Sequence, residues 1–422
     1  MFQNYKNIEK IQFVLIFIAL SIFPLGSSVT LNAFHVFIYF SCVAIFCTPL
    51  KFKLINNSYL LMYSLGFLLI LATSFKSGNY QHSKYVIANM FLSLVGMYAY
   101  GSNKECIKKG ILCGISFSGV LFFILTCYTF GFQHFIYLFN GVNYYDEYIL
   151  TKNITDLGMN SNAIGLVYLS SSISSILLFF NSHDNKNGNF YLFNFYIFMM
   201  LCVLSGSNRV LVPAILICFA LYIHNKTSYK KHKLNKIWRL PPTIALAFLI
   251  WNFQKVKNIF VIKSIVIFQL IGVNLRSTDD FAAQYIEYGH HTRHKLITEG
   301  IDLFLENPIF GLGIENSRLY MHTYTHFDFL ELVIGGGIFC GIIFYSGYFI
   351  IAKKILMNYK INASESLIYL LIFTSILILG FAGGIYKLPW IHIVCFAICE
   401  KFTKIYSCRF SGTSNETIRP KI

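Results

Sequence analysis

The sequence contains few charged residues. Asp, Glu, Lys and Arg together make up 12% of its 422 residues, whereas a soluble domain carries about 25%. The hydrophobic residues, 56% of the chain, are concentrated in runs of about 20, the length at which an α-helix crosses a bilayer. This shortage of charge excludes a soluble globular protein and predicts an all-α polytopic membrane protein.

Acidic residues and external cysteines are also scarce. The chain has 18 acidic and 34 basic residues, and the basic excess lies in short loops, where Lys and Arg mark the cytoplasmic side. Anionic membrane lipid accounts for this charge, and no nucleic-acid partner is expected. None of the 11 cysteines lies in a predicted external segment, so no disulfide framework is expected. No cleavable signal peptide is recognisable, because the first apolar run is followed at once by others.

Hydrophobic windows of about 20 residues predict about twelve membrane spans. The basic flanks alternate regularly between the two sides, which predicts that both termini lie in the cytoplasm. The predicted spans are 11–28, 30–48, 57–75, 85–101, 110–130, 162–181, 190–206, 209–224, 242–257, 327–352, 366–385 and 388–404.

The predicted topology includes one large external loop. It is too apolar to be disordered, and structureless loops longer than about 15 residues are usually functional or disordered, so we expect it to fold. We interpret its apolar run 259–273, which Lys263 interrupts, as an interfacial helix and not as a span. The predicted regions are 1–256 with spans one to nine and an external loop at 131–161, the large external loop 257–326, 327–404 with spans ten to twelve, and the cytoplasmic tail 405–422.

Two arginines stand out on the predicted external side. Arg209 ends the tight turn Ser-Gly-Ser-Asn-Arg between two spans, against the positive-inside bias; it either snorkels to the interface or binds an anionic headgroup through its planar fork. Arg293 lies in the first turn of a predicted helix, which ends at Asn307-Pro308 and a glycine turn. The predicted apolar face of this helix consists of Leu296, Ile297, Ile301, Phe304 and Leu305. Arg293 is either a solvated loop arginine or a cation held rigidly over the membrane.

His326 ends the large loop and begins span ten. A histidine at the edge of a span is a natural general base because its reference pKa lies near neutrality; the alternative is an interfacial histidine bonded to a carbonyl. Asp328 or Glu331 would orient it or bind substrate hydroxyls. Glycines follow at 335, 336, 337 and 341, and such small residues allow close approach of a helix or a lipid chain.

A metal site is the weaker interpretation of this loop. His290, His291, His294 and His322 share it with Glu299 and Asp302. His290 and His294 have the i, i+4 spacing that places two ligands on one helix face. However, the sequence has no complete zinc motif, so no metal is expected.

At these residues the sequence resembles the bacterial O-antigen and capsule repeat-unit polymerases, the Wzy family, and the related O-antigen ligases. The resemblance covers roughly 155–350 and the layout of spans, and it implies a GT-C-like fold. Phe327 departs from the family pattern, which has Asn there, and Asp328 would take over its role. The matching positions are Arg209 in SGSNR, Arg293, the turn 307–313 (NPIFGLG), His326 with Gly337 eleven residues later, and Asn160 and Asn162 in MNSNAIG.

The resemblance implies glycosyl transfer from an undecaprenyl-pyrophosphate-linked oligosaccharide. The pyrophosphate leaving group needs cationic stabilisation, which Arg209 and Arg293 would supply without a metal or other cofactor. His326 would take the proton of the attacking sugar hydroxyl. Arg318 and Arg276 are weaker candidates for phosphate or glycan contacts, and Tyr144, Tyr145, Tyr320 and Tyr324 are candidates for stacking on sugars.

Three functions are open at this point. A polymerase transfers the growing glycan to the non-reducing end of a new lipid-linked unit, and the stretch 307–345 resembles the polymerases most. A ligase would transfer the polymer to the lipid A core. A flippase would move the lipid-linked unit, but the large loop with Arg293 and His326 favours an enzyme. The expected location is the bacterial inner membrane, and a chain-length regulator is a further expected partner.

Overall fold

The computed structural model describes residues 2–22, 57–77, 83–101, 105–130, 161–182, 185–204, 208–227, 295–321, 325, 327–380 and 388–410. All regular secondary structure in this part of the chain is helical, and it contains no β-strand. The helices are α1 Phe2–Ile22, α2 Ser58–Ser77, α3 Ser83–Gly101, α4 Glu105–Phe130, α5 Ser161–Phe180, α6 Asn185–Leu204, α7 Asn208–Thr227, α8 295–306, α9 Ser317–Met321, α10 Asp328–Tyr359, α11 Ala363–Gly380 and α12 Pro389–Phe410.

Four of these helices are long and apolar enough to cross a membrane: α2, α4, α10 and α11. Shorter apolar helical segments occur at Val86–Gly101, Gly165–Phe180 and Val212–His224. Every predicted span except the second and the ninth overlaps a described helix. Those two, the external loop 131–161 up to residue 160 and the apolar run 259–273 lie outside the described residues, and the count of about twelve spans stays a prediction.

Small residues bring α4 close to α1. Gly110 and Gly114 lie one turn apart on α4, and a Cβ at Gly114 would stand 2.8 Å from the Leu20 Cβ and 2.9 Å from the Phe17 carbonyl oxygen. Ser21 also donates a hydrogen bond of 3.3 Å to the Gly114 carbonyl. Helices in lipid associate by van der Waals packing and interhelical hydrogen bonds, which small residues permit.

The interface between α4 and α5 depends on buried hydroxyl groups. Ser116 and Ser175 share a hydrogen bond of 2.7 Å, and Ser171 donates to the Ile115 carbonyl at 3.0 Å. Gly119 faces Ser171, whose Oγ would lie 2.6 Å from an added Cβ. These hydroxyl groups therefore explain why a span can contain several serines without exposing them to lipid.

Helix α10 occupies the centre of the second half of the bundle, where it contacts α2, α11 and α12. Its contact with α2 is close because Gly66 meets Phe344 and Gly347 meets Tyr59, with added Cβ distances of 3.2 Å and 3.1 Å. His392 of α12 is fully buried in the same aromatic cluster, and its Nδ1 lies 3.2 Å from the Tyr59 hydroxyl. No disulfide joins the cysteines within the described helices.

Ion pairs cluster at the end of the bundle opposite the loop. Lys108 of α4 lies 3.1 Å from Glu400, and Lys401 lies 2.7 Å from Glu365 at the start of α11. Lys354, near the end of α10, packs against α12 beside these pairs. All these residues belong to the side that the sequence predicts to be cytoplasmic, so the described contacts are consistent with the predicted alternation of helix directions.

Candidate functional site

Helix α8 packs against the beginning of α10. Its buried residues are Leu296, Gly300 and Leu303, and an added Cβ at Gly300 would lie 2.7 Å from the Thr325 side chain. The predicted helix and its end before Pro308 are confirmed, but the predicted apolar face is partly wrong. Ile301 and Leu305 belong to that face and are exposed, because the close contact through Gly300 rotates the helix so that a neighbouring stripe is buried.

The long helix α10 is interrupted at Gly337. This residue has φ 76° and ψ 177°, a conformation that is open essentially to glycine alone. The interruption frees backbone groups that a continuous helix would pair, and the turn 307–313 bonds with them instead. Leu312 N donates to Ile334 O at 2.8 Å, Gly313 N to Gly335 O at 2.8 Å, and Ile338 N to Pro308 O at 2.9 Å.

We call this pairing of 308–313 with 334–338 the interlock. It depends on glycines in both segments, because a Cβ at Gly311 would lie 2.6 Å from the Gly335 carbonyl and a Cβ at Gly335 would lie 2.8 Å from the Ile314 Cα. A Cβ at Gly337 would overlap the Ile309 carbonyl oxygen. Gly335 and Gly337 of span ten thus admit the loop backbone, whereas the sequence suggested a helix or a lipid chain.

The chain following the interlock is fixed to the end of α2. Asn316 donates to Ser77 Oγ at 3.0 Å and to the Leu312 carbonyl at 2.8 Å, and Ile314 N donates to Ser74 Oγ at 3.3 Å. On the same helix, the Lys76 ammonium lies 4.4 Å from the Phe310 ring centroid, within cation–π range. The loop is therefore held by two membrane helices, α2 and α10.

Glu331 is the most enclosed carboxylate of this region, with 1% of its surface exposed. Its Oε2 accepts hydrogen bonds from the Thr325 N–H and from the Thr325 hydroxyl, each at 3.1 Å, and its Oε1 accepts one from the Ser317 hydroxyl. The side chain thus joins α9 and the residue before His326 to the first turn of α10. Its role as a substrate ligand stays a prediction, but this geometry indicates a positioning role.

Ser317 and Thr325 are not among the site residues predicted from the sequence. No motif signals them, because hydroxyl residues beside a loop helix are common. Their shared partner, Glu331, lies 14 residues after Ser317 and 6 residues after Thr325. Thr325 also orders the start of α10, because its Oγ1 accepts from the Phe327 N–H at 3.3 Å. Asp328 lies buried in the first turn of this helix, 5% exposed, where the helix dipole favours a negative charge.

Arg318 forms an ion pair within the same segment. Its Nε lies 2.7 Å from an oxygen of Glu315, whose side chain is 4% exposed while that of Arg318 is 35% exposed. Glu315 has a positive φ of 63°, which few residues other than glycine adopt. The Glu315 carboxylate offsets much of the positive charge of Arg318 that a phosphate group would need. Glu315 therefore competes with the substrate for the predicted contact with Arg318.

The other predicted site residues are described only in part or not at all. Arg209 and Asn162 lie in the first turns of α7 and α5, and their side chains are not among the described ones. The remaining predicted residues lie outside the described part of the chain: His326, Arg293, Arg276, Tyr324, Tyr144, Tyr145 and Asn160, and the histidines of the weaker metal interpretation, His290, His291, His294 and His322. Their roles stay predictions.

A cavity of about 600 Å³ lies between the end of α2 and the interlock. Its walls combine the last turns of α2 and α8, the turn 307–312 and α9, and they mix aromatic, amide and charged groups. We call it the side cavity. Its lining residues are Thr73, Lys76, Ser77, Glu306, Asn307, Pro308, Ile309, Phe310, Gly311, Leu312, Asn316, Leu319 and Tyr320.

No protein-family model matches the sequence, and no curated protein matches it at a significant level. The fold defines the class of the protein: its regular secondary structure in the described residues is α-helical, with four apolar helices long enough to span a membrane. Its distinctive local feature is a polar loop built onto the interrupted helix α10.

Proposed function

We propose that this protein is a polysaccharide polymerase of the bacterial inner membrane that acts on undecaprenyl-pyrophosphate-linked repeat units. The observation that carries the proposal is the interlock, because it attaches the loop that contains the resemblance motifs firmly to a membrane helix. A reaction between lipid-linked substrates requires polar catalytic groups held at the membrane face, and positioning of such groups is a large part of catalysis.

Glu331 supports the same function from the loop's other end. It fixes Thr325 and, through Thr325, the start of α10, so that the residues on either side of His326 in the sequence are held to the helix. A general base must stand within hydrogen-bond reach of the proton it removes, and a fixed helix start beside the loop suits that requirement.

The proposed reaction forms one glycosidic bond and breaks one bond to phosphate. A hydroxyl oxygen of the acceptor sugar attacks C1 of the donor sugar, while the bond from C1 to the pyrophosphate oxygen breaks. The hydroxyl proton passes to His326. Undecaprenyl pyrophosphate leaves as an anion that Arg209 and Arg293 stabilise, in the manner of cationic groups aimed at developing negative charge.

The test is a gel profile of surface polysaccharide from a strain that lacks this protein. A lipid core with a single repeat unit in that strain supports the polymerase, and rescue by wild type but not by His326→Ala supports the base. Immunoblots of membranes verify equal protein levels. His322→Ala, in the same loop, serves as the matched control and should restore long chains.

Three results would contradict the proposal. A bare core with polymer retained on the lipid carrier would identify the alternative function, a ligase that uses the lipid A core as acceptor. Unchanged polysaccharide in the deletion strain would exclude both enzymes. If chelation abolishes activity, added zinc restores it and His322→Ala does not restore long chains, the loop contains the metal site that the sequence disfavours.

A further inference from the structure

We propose that the side cavity binds a sugar unit of the glycan chain, separately from the pyrophosphate. This inference rests on the proposed function and names the part of the substrate that this surface would recognise. It concerns the hydroxyl-rich, uncharged or weakly charged oligosaccharide and not the lipid carrier.

The size and composition of the side cavity suit a sugar. Its volume of about 600 Å³ lies within the range of about 300–1,000 Å³ that small-molecule sites occupy. Tyr320 and Phe310 are both exposed and offer ring faces for the apolar C–H surface of a sugar. Glu306 and Asn307 supply a carboxylate and an amide to pair with its hydroxyl groups.

The charges of the cavity disfavour a pyrophosphate. Among its described lining residues, Lys76 is the one basic side chain, and its ammonium lies over the Phe310 ring at 4.4 Å. Glu306 adds a negative charge to the same wall. Phosphate sites in proteins instead bring together arginines or several N–H donors, so the balance of groups favours hydroxyls.

One wall of the side cavity contains a buried amide oxygen, that of Asn316, without a described donor. Asn316 is 2% exposed, and its Nδ2 donates to Ser77 and Leu312. Its Oδ1 accepts no hydrogen bond from any described residue, although Asn316 lines the cavity. Because the Leu312 carbonyl can only accept, the amide orientation is fixed by these contacts. Buried acceptors usually have a donor; this oxygen has less than 1 Å² of accessible surface, so it adds polarity to the cavity wall and is not itself a surface contact for a sugar.

The cavity is also preformed, since its walls are tied together before any ligand arrives. Gly311 N donates to Asn307 O at 3.0 Å, and the interlock fixes the same turn to α10. The bonds from Asn316 to Ser77 and Leu312 join the turn to α2. Preformed walls lower the cost of ordering on binding, which matters for weak carbohydrate ligands.

The experiment measures direct binding of oligosaccharide to the purified protein in lipid nanodiscs. The probe is the single repeat-unit oligosaccharide, which mild acid releases from the lipid-linked pool of the deletion strain. Saturation-transfer NMR measures its binding to the protein. We expect Glu306→Gln and Tyr320→Ala each to weaken binding roughly tenfold or more. The matched controls are Asp302→Asn on the same helix and the exposed Tyr359→Ala at the far end of α10, and both should bind as wild type does.

The failure of this inference differs from that of the proposed function. If the deletion strain and His326→Ala lose polymer while Glu306→Gln and Tyr320→Ala polymerise and bind as wild type does, the sugar site is refuted and the polymerase stands. Competition by inorganic pyrophosphate that depends on Tyr320 and Glu306 would also refute it. If His326→Ala still binds the oligosaccharide and Tyr320→Ala does not, binding is assigned to the cavity independently of the chemistry.

Discussion

At the scale of single residues, the most informative side chain is Glu331. A carboxylate close to a candidate histidine suggests a direct part in chemistry, yet both of its oxygens accept hydrogen bonds from within the protein. A charged group is stable in such an enclosed place only when several donors satisfy it. The residue therefore acts on the site through the chain segments that it connects.

Replacement of Glu331 tests this role. Glu331→Ala leaves the Thr325 N–H and the Ser317 hydroxyl without their acceptor, at a cost of about 1–3 kcal/mol for each buried donor that stays unpaired. Glu331→Gln should cost less, because its amide oxygen can face Thr325 while the Ser317 hydroxyl rotates to accept from the amide. We expect thermal unfolding of the purified protein to give the order Ala, Gln, wild type from least to most stable.

The control for this series is Glu299→Gln on α8, whose carboxylate is 40% exposed and lies 3.7 Å from Lys295. Surface pairs of this kind contribute little to stability, so its unfolding temperature should stay close to that of wild type. An unaltered unfolding temperature in Glu331→Ala would show that its contacts do not stabilise the fold.

At the scale of elements, the interrupted helix α10 explains why the turn 307–313 has its sequence. Pro308 ends α8 and leaves its own carbonyl available to Ile338 N, and Gly311 permits the backbone to approach Gly335. A break in a membrane helix is tolerated when other protein groups satisfy the freed backbone. The loop and the helix break therefore depend on each other.

Gly337→Ala should separate the loop from the helix. The left-handed φ of 76° costs a non-glycine residue about 1–3 kcal/mol, and the overlap with Ile309 adds to this. We expect a lower unfolding temperature and loss of long polysaccharide chains. Gly188→Ala in α6 is the matched control: its added Cβ would have no neighbour closer than 3.6 Å, and helix propensity favours Ala by about 1 kcal/mol. Equal stability of the two variants would mean that the interlock does not form.

The sequence predicts the helices of this protein better than their contacts. Hydropathy alone finds α2, α4, α10 and α11, because each span must be apolar over its whole length. It finds the turn after Pro308, because proline and glycine act locally. It does not find the break at Gly337, because three glycines in an apolar run also suit ordinary helix packing. The pairing of Glu331 with Ser317 and Thr325 also escapes it, because that pairing exists only once α9 is docked.

At the scale of the whole molecule, polar groups gather at the two ends of the described bundle. One end contains the loop 295–321 and the side cavity, whereas the other contains the pairs Lys108–Glu400 and Lys401–Glu365. Helix α10 joins them, and its continuous part after the break at Gly337, residues 338–359, corresponds to about 33 Å at 1.5 Å per residue, enough to cross the roughly 30 Å of a bilayer core. The two ends must therefore face opposite sides of the membrane if α10 crosses it.

The basic excess at the second end predicts which side is which. Lys353 and Lys354 in α10, together with Lys108 and Lys401, should remain in the cytoplasm, so the loop should be external, where lipid-linked glycans are polymerised in the proposed function. We expect a cysteine introduced at the exposed Asp302 to react with a membrane-impermeant maleimide that is added to the external side of intact inner-membrane preparations. A cysteine at the exposed Lys360 should react only after the membrane is opened, and the unmodified protein gives the background from native thiols. If Lys360→Cys reacts in sealed membranes and Asp302→Cys does not, the topology is the inverse of the predicted one. The proposed external reaction would then be impossible at this loop.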